Sequence, residues 1–387
     1  MSVTAPHGFV AAGIACGIKD SGASDLSLVA TADAQPVTAA GVFTQNKAQA
    51  APVLVSKAHL NVTGGRAAAV ILNSGNANAA TGSTGEANAE HMCSVTAKHL
   101  GCQPGHVLVC STGLIGIPLP IDVIAAGIPD LVASRTSDGG ASAATAIMTT
   151  DTVRKETVVE GDGFTVGGMA KGAAMLAPNM ATMLAVLTTD AEIDQAALHK
   201  ALQRAVSLSF NTMSVDGCTS TNDTVLVLAS GRAGPVNEAD LADALKYACI
   251  GLAEQMVGDA EGATKVVRVR VTGAEDDEQA ARAARKVAES QLVKCSWYGN
   301  DPYWGRIVSE LGTAGVSFDP DRVSVAYGGT VVCRDGIAAD HDSALLADVM
   351  EGRMLDVTAD LGLGRGDATV LTNDLSHAYI DENMRTS

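Results

Sequence analysis

The sequence is poor in aromatic residues, in positive charge and in paired cysteines, and each shortage removes a class of protein. Aromatics make up 3% of the 387 residues, so a core has to be built from Ala, Val, Leu, Ile and Met. Lys and Arg number 26 against 43 Asp and Glu, a formal net charge of −17. Phosphate backbones need concentrated Lys and Arg, so no nucleic-acid partner is expected. The eight cysteines (Cys16, Cys93, Cys102, Cys110, Cys218, Cys249, Cys295, Cys333) are scattered, with no CxxC pair. That spacing suits buried free thiols in a reducing compartment rather than a metal or redox site. The histidines form no HxxxH-type cluster, so no metal or other cofactor is expected. No apolar run reaches the roughly 18–20 residues of a membrane span. Met1–Val10 carries neither the basic nor the apolar part of a secretion signal. A cytoplasmic protein without a membrane segment is expected.

What is abundant points to a folded, turn-rich α/β chain: 47% hydrophobic residues, 18% charged residues and 40 glycines. Ala67–Leu72 and Val107–Cys110 read as short strands, the first running into Asn73–Asn78 and the second breaking at Ser111-Thr112-Gly113. Helical spacing is predicted over Ile121–Ser134, Asp194–Val206, Ala239–Met256 and Ala280–Val293. Phe164–Val166 and Met183–Leu187 read as strands flanking a loop over Lys171–Ala181, and Thr264–Val271 alternates as a half-buried strand.

Within that loop, Pro178-Asn179-Met180-Ala181-Thr182 places a threonine after a small residue and before an apolar run. Such a hydroxyl can attack the preceding carbonyl, cut the chain and leave Thr182 as a new N-terminus. The freed α-amine then sits beside the hydroxyl that it activates, the N-terminal-threonine form of nucleophilic catalysis. This points to an acyl-transfer enzyme that first cuts itself. Ser111-Thr112-Gly113 offers a hydroxyl and backbone amides suited to an oxyanion, although the residues alone favour a plain polar turn. Thr149-Thr150-Asp151-Thr152 could line a substrate or cap a turn. Lys171, in an apolar setting, should be solvated or paired with a carboxylate, and Glu261 could accept an ammonium. Thr219–Thr224 could support the site or cap local structure. Trp304 reads as a packing anchor.

The stretches Met169–Gly172 and Leu176–Leu184 resemble the self-cleavage signature of the glutamate N-acetyltransferase (ornithine acetyltransferase) family of arginine biosynthesis. The resemblance continues in order through Asn73–Asn78, Cys110–Gly116, Met148–Thr152, Ser214–Thr224, Asp259–Lys265, Leu292–Ile307 and Leu375–Ser387. It implies a layered α-β-β-α architecture with mixed sheets. It also implies cleavage between Ala181 and Thr182 into an α chain (1–181) and a β chain (182–387), assembled as α2β2. Thr182 would carry an acetyl group from N2-acetyl-L-ornithine to L-glutamate in a ping-pong cycle. Thr112 and Gly113 would form the oxyanion hole, and Thr149, Lys171, Thr182, Glu261, Asn383 and Ser387 would contact substrate.

Three positions depart from the family pattern. Tyr303 stands where Asn is usual, Cys218 where Asp is usual, and the tail after Asn383 is one residue short. A bifunctional enzyme that also uses acetyl-CoA, an N-terminal-nucleophile amidohydrolase with water as acceptor, and a non-catalytic amino-acid or protein binder are the alternative readings.

Overall fold

Alternating and helical hydrophobic patterns replace one another many times along the chain. The computed structural model, which describes residues 2–176 and 183–384, arranges them in two compact units. Met1–Asn211 and Cys218–Met256 form one unit, and Thr212–Gly217 and Val257–Thr386 the other.

The first unit begins with β1 (Phe9–Ile14), β2 (Leu26–Thr31), β3 (Val37–Phe43), α1 (Ala51–Val62), β4 (Arg66–Ala67), β5 (Ala69–Asn76), α2 (Gly82–Leu100), β6 (Val107–Leu114), α3 (Ile121–Ala133) and α4 (Gly140–Ala146). It continues with β7 (Lys155–Glu160), β8 (Thr165–Lys171), β9 (Leu184–Glu192), α5 (Gln195–Ser207), β10 (Thr224–Pro235) and α6 (Glu238–Gly258). One sheet has the order β1-β2-β5-β6, and the other β4-β3-β10-β9-β8-β7. Both are mixed: β5 and β6 run parallel, as do β9 and β10, and the remaining pairs are antiparallel.

The layering follows from the two-residue period of strands. Val70 and Leu72 of β5 join Leu108 of β6 in one buried cluster with Val186 of β9 and Leu226 and Leu228 of β10. The intervening Ile71 faces the other way, into a second cluster with Met92 of α2 and Ile124, Ile128 and Leu131 of α3. On the outer side of the six-stranded sheet, α6 ties to β7 where Gln255 bonds both the N–H and the C=O of Glu156, each at 3.1 Å. The order is therefore α-β-β-α, as the resemblance implied.

The second unit holds β11 (Val266–Ala274), α7 (Asp277–Ala288), α8 (Gln291–Tyr298), α9 (Trp304–Leu311), β12 (Ser324–Tyr327), β13 (Thr330–Arg334), β14 (Ile337–Ala338), α10 (Ser343–Glu351), β15 (Met354–Asp360), β16 (Gly366–Asn373) and α11 (His377–Asn383). Its mixed sheet has the order β14-β13-β12-β15-β11-β16. Trp297 and Tyr327 fill its core beside Val267, Val269 and Val271, whereas Trp304 packs at the edge.

Two expectations need correction. The helical stretch Ala280–Val293 is two helices, broken where Ser290 caps α8 by accepting the Val293 N–H. The strand from Val107 does not break at Ser111, because Ser111, Thr112 and Gly113 keep their pairing opposite Asn73, Ser74 and Gly75.

Leu226 lies fully buried between the two sheets of the first unit. Leu226→Ala should cost about 2–5 kcal/mol through lost burial and the cavity left behind, read as a lower urea midpoint with unchanged slope.

Candidate active site

Apolar alternation gives way to polar residues at the ends of β5 and β6, and these side chains are nonetheless buried. Buried polar groups require partners. Ser74 Oγ donates to the Ala146 carbonyl at 2.7 Å, and Asn222 Nδ2 donates to the carbonyls of Ala77 at 2.6 Å and Ser111 at 2.9 Å. Gly113 has φ of +133°, and a Cβ built on it would lie 2.2 Å from the Gly75 carbonyl carbon. Only glycine lets the two backbones meet there.

Thr112 is buried beside this contact, and Lys171, the last residue of β8, donates from Nζ to Thr112 Oγ1 at 3.2 Å. An ammonium donating to a hydroxyl oxygen leaves the hydroxyl hydrogen to point elsewhere and strengthens it as a donor. A second cation lies close. Lys19 donates to the carbonyls of Met148 at 2.7 Å and Ser24 at 2.8 Å. Its pKa is lowered, first by burial, against the opposing charge of Asp25, with the charge of Lys171 lowering it further.

Asp151 holds the surrounding backbone. Its Oδ1 accepts from Lys155 Nζ at 2.6 Å and from the Gly172 amide at 2.8 Å, and its Oδ2 accepts from the Thr149 amide at 3.0 Å. Burial pushes its pKa up, but the charges of Lys171 and Lys155 and these hydrogen bonds outweigh it and hold the carboxyl down at about 2. At the start of β9, the Met183 amide donates to Asp223 Oδ1 at 2.9 Å, and Asp223 is fully buried.

In the second unit, Asn383 Nδ2 donates to Glu261 Oε2 at 2.7 Å and to the Tyr379 carbonyl at 2.8 Å. Gly262 has φ of +65°, and a Cβ there would lie 2.5 Å from the Tyr379 amide, so the turn carrying Glu261 packs directly on α11. Glu261 is buried while Asn383 is exposed.

The ArgJ family model matches residues 10–386. The chain belongs to the ArgJ family. The "Arginine biosynthesis bifunctional protein ArgJ" of Streptomyces coelicolor is 47% identical, covering 100% of both chains. The ArgJ protein of Mycolicibacterium paratuberculosis is 50% identical over 100% of this chain and 96% of its own. A solved ornithine acetyltransferase from Mycobacterium tuberculosis, complexed with ornithine, is 44% identical over 46% of this chain and 94% of its own, with a TM-score of 0.41. As an ArgJ family member, the chain is an acyltransferase of arginine biosynthesis.

Among the ArgJ residues singled out from sequence, the structure joins Lys171 to Thr112, places Gly113 next to them, and ties Thr149 to the β8 end through Asp151. It joins Glu261 to Asn383 in the other unit. Ala181, Thr182 and Ser387 lie outside the described residues. Tyr303 is 54% exposed with the Arg306 guanidinium over its ring at 5.6 Å, and Cys218 is exposed. The cysteines are free, but Cys295 too is exposed and Cys16 and Cys102 are half-buried, so burial is less general than expected. Sequence reasoning missed Lys155, Lys19 and the carboxyl of Asp223. The short polar-to-apolar change from Asp223 to Val225 was the available signal for the last. Among the described residues, no helix is long and apolar enough to cross a membrane.

The Asp151 carboxyl is depressed in the folded state, so its stabilisation is present above the unfolded pKa near 4 and is lost as pH falls through about 2. Asp151→Asn should lower stability at neutral pH by about 3–5 kcal/mol, because it removes the counter-charge of buried Lys155. In denaturant titrations, the gap between variant and wild type should narrow from pH 4 to pH 2.

Proposed function

We propose that this chain moves an acetyl group from N2-acetyl-L-ornithine to L-glutamate through an acetyl ester on Thr182, after cutting itself between Ala181 and Thr182. The observation that carries the reading is the buried Lys171–Thr112 contact beside Gly113. It supplies a polarised hydroxyl next to a backbone amide, the donor pair that an oxyanion needs. Self-cleavage gives residues 1–181 and 182–387, which stay together as an α2β2 assembly in the cytoplasm.

In the acyl-transfer half-reaction, the Thr182 α-amine takes the hydroxyl proton as Oγ attacks the acetyl carbonyl, and returns it to the departing ornithine amine. A free α-amine titrates near 7.7–8.0, suited to both roles at neutral pH. The amine of glutamate then attacks the ester and regenerates the hydroxyl. Ornithine and glutamate share an amino-acid end, so one pocket serves both. Glu261 provides a carboxylate for a substrate ammonium, held by the Asn383 amide. Lys171, Thr149 and Ser387 are the further substrate contacts of this reading.

A second reading adds acetyl-CoA as a donor. It is favoured by the word "bifunctional" in the names of the full-length relatives. With acetyl-CoA as the sole donor, acetyl-glutamate formation supports it, and its absence beside full activity with acetyl-ornithine restricts the enzyme to one donor.

Intact-mass measurement should show two chains, the second beginning at Thr182, while Thr182→Ala should remain one chain without transferase activity. A fully active single chain would overturn the mechanism. Acetate released in place of acetyl-glutamate would assign a hydrolase instead. Thr112→Val should lower kcat about 10²–10³-fold by removing one oxyanion donor, with little change in melting temperature.

A further inference from the structure

The segment before β2 is wound around one carboxylate. Asp25 is fully buried, and its Oδ1 accepts the Cys16 amide at 2.7 Å. Its Oδ2 accepts the amides of Gly17 at 3.2 Å, Ile18 at 2.6 Å and Lys19 at 3.0 Å. Four backbone donors on one carboxylate fix the path of residues 16–19, and with it the place where the Lys19 side chain leaves the backbone.

Both ends of that side chain reach the frame of the candidate oxyanion pair. The stem lies over Gly75, where an added Cβ would come 3.3 Å from Lys19 Cγ, and Gly75 is the residue whose backbone meets Gly113. The ammonium donates to the Met148 carbonyl at 2.7 Å, next to the Thr149 amide that Asp151 holds at 3.0 Å. The charge of Lys171 is close enough to act on it.

An ammonium has three N–H donors. Lys19 gives two of them to neutral carbonyls, those of Ser24 at 2.8 Å and Met148. No carboxylate of the described residues bonds it directly, and Asp25 and Asp151 favour its charge from further away. A half-buried ammonium with a donor in hand, at the rim of a site, suits an anion.

The chemistry of acetyl transfer says which anion. N2-acetyl-L-ornithine and L-glutamate both carry an α-carboxylate, whose carbon lies about 2.5 Å from the reacting nitrogen across a single Cα. When the acetyl carbonyl meets Thr112 and Gly113, the carboxylate must come to rest close by. The net charge of −17 supplies no long-range attraction for an acid, so a local cation has to hold it.

We propose that Lys19 binds the α-carboxylate common to both amino-acid substrates, through its third N–H. This rests on the acetyl transfer proposed above. The contact is made alike before and during the reaction, so it contributes to binding rather than to the chemical step.

Lys19→Met keeps the length of the stem and removes the charge. It should raise KM for acetyl-ornithine and for glutamate about 10–100-fold, the worth of a charge-assisted hydrogen bond. Its kcat should stay within about threefold and its melting temperature near that of the wild type. A donor with an α-carboxamide, N2-acetyl-L-ornithinamide, separates a carboxylate contact from a backbone one. It is followed as a substrate, or as a competitive inhibitor where turnover is too slow. The variant should handle this amide as the wild type does, because the group that Lys19 meets has lost its charge. Equal losses on acid and amide would reduce Lys19 to a prop for Met148 and overturn the assignment, as would an unchanged KM for the acid. Should Lys19→Met fail to fold, Lys19→Gln, which retains donors for the two carbonyls, is read in the same way. The wild type decides the parent reading separately: without acetyl transfer to glutamate that reading falls, whereas full wild-type activity beside an unmoved variant KM removes only the role of Lys19.

Discussion

Asp151 gathers into one buried carboxylate the amide of Thr149, the amide of Gly172 and the ammonium of Lys155, with the charge of Lys171 close by. A lone carboxylate in that position would be neutralised by its own desolvation. Two lysines make it affordable as an anion, and the anion in turn permits two lysines in a core of small apolar residues. The consequence is geometric. The loop before β7, the first residue of β7 and the last turn of backbone after β8 are all fixed to one point, so Lys171 is presented to Thr112 rather than released to solvent. The hydroxyl, the glycine and the strand ends they occupy follow from that placement.

The scarcity of aromatic side chains shapes the same region. Sheets that pack through Val, Leu and Ala can approach closely, and at Gly75 and Gly113 two backbones come together without side chains between them. The fully buried tryptophan, Trp297, sits in the other unit, in a core of valines and alanines.

Much of the architecture was legible because strand and helix periods repeat cleanly in the chain, and Thr112, Gly113 and Lys171 could be singled out because a hydroxyl, a glycine and a cation stand out against apolar neighbours. The extent of β6 was not, since Ser111-Thr112-Gly113 has turn composition and only the matching Asn73-Ser74-Gly75 on β5 shows that pairing persists. The break between α7 and α8 escaped because the apolar spacing carries on across Ser290, while the cap itself is a single side-chain bond. Asp223 and Lys155 escaped for a different reason. Their meaning lies in partners that only the folded chain supplies, Met183 in one case and the Asp151 carboxylate in the other.

The order of the six-stranded sheet has a consequence for how two fragments could come to exist. Strands β3 and β4 lie on one side and β7 and β8 on the other, with β9 and β10 between them. A nick between 181 and 182 would put the outer four strands on one fragment and the inner two on the other. Neither fragment would own a finished sheet: one would have a gap at its centre, the other a pair of strands with both edges bare. Such fragments would be obligate companions, interleaved rather than docked. Making them from one continuous precursor, folded first and nicked afterwards, would avoid ever presenting those bare edges.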